Sequence, residues 1–342
     1  MISSTVTTST SGPRAVIARA FGRASTFTIE PFDPGMPGPG QVRIAVHAAG
    51  VSYADVLVAA GEYQLKPALP FVPGSELAGV IEAVGEGVEP GRVGERVCAS
   101  AFGGALGETA VVPARQALAI PDAMPFDEAA VFRVSYATAF HALTQRAALQ
   151  PGETVLVLGA GGAVGHAAIE IGVALGARVI ASASSGDKRD LAVRAGAAAV
   201  DARSETWRDD VKAANHGRPV DIVVDPIGGE ATEPAFRSLA WRGRHLVIGF
   251  AGGGIPKLPT NLPLLKGAAL LGVDIRQFGE KEPEAARANL SALFDLYRAG
   301  ALHPHIARRY PLDCFVQAME DVRSGALSGR AVIQMRASQP NA

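Results

Sequence analysis

Three glycines at equal intervals carry the clearest chemical signal in this sequence. Gly159, Gly162 and Gly165 stand in "VLVLGAGGAVGHAAIE", residues 155–170. An apolar run leads into them and a helix-like pattern follows. At the first position glycine lets the chain turn out of a strand. At the second it lets bare backbone approach a pyrophosphate, and at the third it lets helix and strand pack closely. The N–H groups and the positive dipole end of a helix start favour an anion. A glycine triplet alone also suits a tight turn that needs small residues only for packing. Here the strand before, the helix after and a second strand, "ARVIASA", favour a dinucleotide site.

The end of that second strand bears on which dinucleotide. An NAD site usually places Asp or Glu there, on the ribose 2′-hydroxyl. This strand ends in "ASASSGDKR", and Ser182, Ala183, Ser184 and Ser185 cannot take that part. Lys188 and Arg189 follow and suit a 2′-phosphate, so NADP is favoured over NAD; Asp187 is the signal against.

The elements that must position these residues are legible in the hydrophobic pattern. From about residue 137 apolar strand-like runs alternate with helical ones: "TVLVLG", a helix over 162–176, "ARVIASA", "DKRDLAVRAGA", "AAVDA", "DIVVDPIGG" and "RHLVIGF". Val164, Ala168, Ile171 and Leu175 share one face of the first helix. Such alternation predicts a parallel sheet covered by helices on both faces. Residues 14–135 differ. "QVRIAVHAAGVS", "SELAGVIEAVG" and "GRVGERVCAS" alternate apolar and polar as half-buried strands do, and "PGMPGPGQ" and "GEGVEPGRVG" punctuate them. This is an irregular, mostly β region. A helix around 283–300 and a strand-like "GRAVIQM" at 329–335 belong cleanly to neither pattern.

Composition bounds the rest. The 342 residues suit two domains, with 48% hydrophobic and 19% charged residues. With 32 basic against 33 acidic residues the formal net charge is −1, which argues against a nucleic acid or an anionic membrane as partner. No apolar run approaches the roughly 18 residues of a membrane span and no signal peptide is visible, so a cytoplasmic globular protein is expected. "MISSTVTTSTSG" reads as a disordered tail over 1–12. Cys98 and Cys314 are each expected to be buried free thiols.

"GVSYADVLVAAGEY", "PFVPGSELAGVIEAVGEGV", "QPGETVLVLGAGGAVGHAAIEIGVALGA" and "NLPLLKGAALLGV" together resemble the zinc-independent quinone oxidoreductase branch of the medium-chain dehydrogenases/reductases. The likeness runs from about residue 14 to 335. It implies an α/β fold: a Rossmann doubly wound parallel sheet over 137–275, and a GroES-like, mostly β catalytic domain from 13–136 and 276–342, with nicotinamide in the cleft. It also implies a homodimer joined partly through Rossmann sheet edges. Carried over residue by residue, Thr138 stands near the nicotinamide. Gly161, Gly162, Ala163 and Val164, within Gly159–Gly165, form the pyrophosphate loop. Ser184 and Lys188 hold the 2′-phosphate, with Arg203 nearby, next to Ala202, which takes the place of a frequent tyrosine. Gly249, Phe250 and Ala251 form the loop beside the nicotinamide. Arg330 replaces a lysine often near the phosphates. The chain departs from the branch at Ala163 in the loop, at Glu170 where Gln is usual, and at Ser52 where many members carry Asn.

Zinc-dependent relatives bind a catalytic metal through Cys, His and a third ligand. Those first two positions correspond here to Ser52 and Ser75, and two cysteines cannot build a four-cysteine structural lobe. His303 and His305, in "HPHIARR", lack a third ligand and read as surface residues. No metal is therefore expected. Without a Lewis acid, hydride from NADPH needs an acceptor that is electrophilic by itself, such as a quinone or an α,β-unsaturated carbonyl. Tyr53 and Ser52 are the candidates to donate to the acceptor's oxygen, a half-buried aromatic on a turn being the plainer role for Tyr53. Tyr136 and Phe278 are candidates to line the substrate pocket, with core packing as the alternative. An enoyl reductase acting on thioesters, or a low-turnover NADPH-binding sensor or partner protein, are the competing functions.

Overall fold

The structure, a computed structural model, describes residues 12–335; nearly all of the expected tail over 1–12 lies outside the described residues. By contact the chain divides into two compact units. One comprises 12–130, Arg309–Ser324 and 331–335; the other comprises Val131–Arg308 and Gly325–Arg330. The strands, in chain order, are β1 (Arg14–Ile17), β2 (Thr28–Pro31), β3 (Gln41–Val51), β4 (Glu76–Val84), β5 (Arg96–Ser100), β6 (Thr109–Pro113), β7 (Ala117–Ala119), β8 (Thr154–Leu158), β9 (Arg178–Ala183), β10 (Ala198–Asp201), β11 (Val220–Asp225), β12 (Leu239–Val247), β13 (Ala269–Gly272), β14 (Ile306–Pro311) and β15 (Arg330–Gln334).

The first unit is mostly β. β1 and β2 form an antiparallel pair. The main sheet has the order β14-β15-β3-β4-β5-β7, with β6 also pairing β3. In β3, fully buried Val42 and Ile44 flank the more exposed Arg43, the alternation expected of a sheet with one wet face. The end of the chain completes this sheet, since Ala331 pairs with Val51 and Ile333 with Ala49. A mostly β, GroES-like sheet is what these strands form, with β15 joining β3.

The second unit holds a six-stranded parallel sheet, order β10-β9-β8-β11-β12-β13. β8 is buried at every residue, as a strand covered on both faces must be. Leu156, Ile180, Val223, Phe236 and Leu239 centre its core. The order reverses between β8 and β11, and ligands of such sheets gather at that switch point, beyond the strands' carboxyl ends.

The compact units do not coincide with the expected domain ranges, 13–136 with 276–342 and 137–275. The first division falls inside helix Phe126–His141 rather than at 136/137. Residues 276–308, expected with the first domain, pack with the second unit. The cause is the amphipathic helix Pro283–Arg298. It buries Leu290, Leu293 and Phe294, stacks Phe294 on Phe132 at 5.5 Å, and links Asn289 to Gln145 at 2.9 Å. Among the described residues no helix is long and apolar enough to cross a membrane.

Candidate dinucleotide site

The glycine loop follows β8 and leads into helix Ala163–Ala174, whose N-cap is Gly162. The glycines divide by role. Gly159 has φ +59°, a left-handed conformation open to glycine, and a Cβ there would collide with Ile227. A Cβ on Gly165 would collide with the Gly159 carbonyl. These two are demanded by the fold itself. Gly162 is different: a Cβ there would meet only the Gly159 oxygen, at 3.3 Å, and the residue is exposed. That contact is tight but far milder than the collisions at Gly159 and Gly165, and it asks the Gly159 carbonyl to give by a few tenths of an ångström. Ala163 and Val164 form the first helical turn, whose N–H groups lack intrahelical partners, so the loop fits a pyrophosphate.

Lys188 lies across this loop. A Cβ on Gly161 would come within 2.5 Å of Lys188 Cγ, and Lys188 Nζ donates to the Gly325 carbonyl at 2.7 Å. Two of the ammonium's three protons remain for a phosphate. Ser184 follows β9 and is half-buried. Arg189, the other cation suited to a 2′-phosphate, is turned inward. It pairs with Asp201 at 3.0 Å and donates to the Ala183 carbonyl. Arg203 is exposed, and its backbone N–H is held by the same Asp201 at 2.9 Å.

Arg330 is 7% exposed and donates to Ser135 Oγ at 2.7 Å. Its neighbour Gly329 donates its N–H to the Gly161 carbonyl at 3.2 Å, so residues 325–330 touch the glycine loop directly. Around Arg330 gathers a cluster that sequence reasoning missed. Tyr136 donates to Glu170 Oε2 at 2.6 Å, and the His303 N–H donates to both oxygens of that carboxylate at 3.1 Å. His166 Nε2 lies 3.4 Å from Glu170 Oε1. A small cavity, with about 10 Å³ for the centre of a water molecule, is lined by Gly162, Ser135, Tyr136, His166, His305 and Arg330 among others. His305, expected at the surface, is half-buried and lines this cavity. Burial, with neighbouring His166 and Arg194, holds its ring below the ordinary histidine value. The one sequence signal for this cluster was Glu170 itself, a carboxylate where the branch usually has an amide.

Asp225 anchors the turn after β11. Its Oδ1 accepts from the N–H groups of Ile227 at 3.0 Å and Gly228 at 2.8 Å. Its Oδ2 accepts from the Thr232 hydroxyl at 2.7 Å and contacts His245 Nε2 at 2.9 Å. Burial pushes this carboxyl up, but the bonds from His245 and Gly228 outweigh it and hold it below the carboxylate range. The Gly249–Ala251 loop rests on this turn, with N–H bonds from Gly249 to the Asp225 carbonyl and from Ala251 to the Pro226 carbonyl. Phe250 is 39% exposed. Thr138 is buried and gives its hydroxyl proton to the Val134 carbonyl at 2.6 Å. Tyr136 lines the small cavity with its hydroxyl committed to Glu170. Phe278 is 5% exposed and stacks on His141 at 3.9 Å, which is core packing rather than pocket lining.

In the first unit, Ser52 caps helix Tyr53–Ala60. Its Oγ donates to Asp55 Oδ2 at 2.7 Å and accepts from the Asp55 N–H at 3.2 Å. Its single proton is directed to Asp55 in this structure. Ser75 also hydrogen-bonds Asp55, and burial pushes that carboxyl above its ordinary value. Tyr53, 36% exposed, begins the helix. Cys98 is buried in β5 as expected, but Cys314 is exposed because it ends a single turn ahead of helix Phe315–Ser324.

Known proteins agree with this architecture. Residues 38–122 match the alcohol dehydrogenase GroES-like domain family, and residues 163–291 the zinc-binding dehydrogenase family. Quinone oxidoreductase-like protein 2 of Mus musculus is 35% identical over 311 residues, 90% of this chain and 89% of the relative. The chain belongs to the quinone oxidoreductase branch of the medium-chain dehydrogenase/reductase superfamily. Among solved structures of its relatives, a probable oxidoreductase from Mycobacterium abscessus has a TM-score of 0.84 at 34% identity, covering 94% of this chain and 99% of that one. Escherichia coli quinone oxidoreductase complexed with NADPH has a TM-score of 0.85 at 25% identity, covering 94% of this chain and all of the other.

Proposed function

We propose that this branch member is an NADPH-dependent, zinc-independent oxidoreductase that reduces a quinone or an α,β-unsaturated carbonyl, and that it works as a homodimer. The observation that carries the reading is Gly162: an exposed glycine at a helix N-cap, less confined by its own chain than Gly159 or Gly165, with Lys188 laid across the adjoining Gly161. The relatives' quinone oxidoreductase names and the NADPH in one of them support it.

Bound NADPH would supply the hydride. The loop Gly159–Gly165 would hold the pyrophosphate on the helix N-terminus, Ser184, Lys188 and Arg203 the 2′-phosphate, and Arg330 the phosphates from the other side of the loop. Thr138 and Gly249–Phe250–Ala251 would flank the nicotinamide. Holding the acceptor in place can supply about 7–11 kcal/mol of barrier reduction, and the Tyr53 hydroxyl is the side-chain donor left for a developing oxyanion. Zinc independence rests on the donor set. Ser52 and Ser75 are neutral hydroxyls bound to Asp55 rather than thiolate or imidazole ligands, and a quinone or enone delocalises added charge without a Lewis acid.

The homodimer is supported by β13, the last strand of the parallel sheet. Its outer side has no partner strand among the described residues, and Leu270 beside it is 45% exposed. Leu264, Leu265 and Trp241 are 80%, 72% and 75% exposed. An apolar, unpaired edge is what a second copy would cover.

The test is NADPH oxidation against a panel of quinones, enones and enoyl thioesters, with and without strong chelator. Turnover of quinones or enones that chelator leaves unchanged supports the reading. Preference for enoyl thioesters moves the assignment to an enoyl reductase. Tight NADPH binding without turnover of any of them makes the chain a sensor.

A further inference from the structure

His166 sits four residues beyond Gly162 on the same helix and shares the small cavity with that glycine. It is 7% exposed. Its Nε2 faces two acceptors, Glu170 Oε1 and the His303 carbonyl, each at 3.4 Å. That environment makes Nε2 the nitrogen that carries hydrogen. Its Nδ1 is buried with no hydrogen-bond partner. In the neutral ring Nδ1 is a lone pair; in the cation it is a donor.

The surroundings decide which form is favoured. Facing the ring are Glu170 on its own helix, Tyr136 and the Ser135-bound Arg330, and His303 and His305; Arg194 reaches His305 from a neighbouring helix. Tyr136 and the His303 N–H fix the Glu170 carboxylate in place. Burial, with His166 and Arg194, holds His305 below the ordinary histidine value, and His166 is the ring that lies 3.4 Å from the Glu170 carboxylate. Arg330 and the positive end of the helix lie on the same side as this cavity. A doubly charged pyrophosphate on that helix end reverses the sign of the local field.

We propose that His166 takes up a proton from solvent when a dinucleotide occupies the glycine loop, and that the resulting imidazolium positions the pyrophosphate, directly or through the single water the cavity admits. The inference rests on the NADPH reading above and adds a linkage to it. His166 is a positioning residue; no covalent bond changes, and the proton enters at Nδ1.

The experiment is calorimetric titration of the full chain with NADPH in buffers of different ionisation enthalpy, between about pH 5 and 8, where histidine changes charge. The parent should take up a fraction of a proton approaching one on binding, and its affinity should weaken by up to about tenfold per pH unit as pH rises. His166→Gln should remove that uptake, His305→Gln should keep it, and Glu170→Gln should diminish it. The ionisation of the 2′-phosphate is common to all four proteins and cancels in the differences. Should His166→Gln fail to fold, the Cε1–H resonance of His166 in the parent must move to its imidazolium position on adding NADPH. Uptake equal in parent and His166→Gln, or lost in His305→Gln instead, overturns the proposal. A parent that does not bind NADPH overturns the dinucleotide reading itself.

Discussion

Two histidine–carboxylate pairs lie buried in the nucleotide-binding unit, and they are built for different work. His245 and Asp225 are 0% and 1% exposed and 2.9 Å apart. The carboxylate also takes two backbone N–H groups and a threonine hydroxyl, so every lone pair has an address. His166 and Glu170 are looser, 3.4 Å apart; Nδ1 lacks a hydrogen-bond partner in both histidines, and His166 differs in bordering a cavity beside the glycine loop. A closed pair fixes a turn; an open one can answer a ligand. The glycines repeat the contrast, with Gly159 and Gly165 shut in by their own chain and Gly162 bare toward the outside.

Substitutions can separate the closed features from the open ones. The largest effects belong to the glycines. Gly165→Val should prevent folding, because its side chain meets backbone. Gly162→Val should abolish NADPH binding while the circular dichroism spectrum and Tm stay near those of the parent. If both variants fold and bind, the contrast is false. Next comes Asp225→Ala, which leaves His245, Thr232 and two N–H groups without their acceptor. It should cost about 3 kcal/mol or more in urea unfolding. Because the folded Asp225 carboxyl titrates below its ordinary 3.8, its contribution is full above that value. It is lost as pH falls through the folded value, so parent and Asp225→Asn should converge in stability in that acid limb. Lys188→Ala comes third: NADPH should weaken about ten- to a hundredfold and NADH barely, with dissociation constants for both cofactors as the measurement. Equal losses would make Lys188 a strut for Gly161 rather than a phosphate ligand. The smallest change is Glu170→Gln. The amide oxygen can still accept from Tyr136 and His303, so unfolding stability should fall by less than about 1 kcal/mol, far less than for Asp225→Asn.

What was legible in the sequence was what the chain writes locally. The spacing of Gly159, Gly162 and Gly165 between a strand and a helix is a short-range pattern, and the structure places strand, loop and helix accordingly. Lys188 stands out in the sequence because it lies at the start of the next helix, Gly186–Arg194. The His166–Glu170–Tyr136–His303 cluster was hidden because its members come from three stretches more than a hundred residues apart at their extremes, and only folding joins them. The same cause places residues 276–308 in the second compact unit. Phe294 reads as one apolar position on an amphipathic helix, and nothing nearby says that its stacking partner is Phe132. The capping role of Ser52 is a local signal of the opposite kind. Its partner Asp55 is three residues away, and Ser-x-x-Asp before an apolar helix is a capping signal.

Residues 325–330 have a practical consequence for anyone cutting this chain. A continuous fragment over 131–308 would contain all six strands of the parallel sheet and would look complete in a topology diagram. It would lack the Gly325 carbonyl that Lys188 holds, the Gly329 N–H on the Gly161 carbonyl, and Arg330. The cofactor loop is tied down by a segment far along the chain from it. A minimal nucleotide-binding fragment would therefore need that short return segment grafted back, for instance through a linker from residue 308.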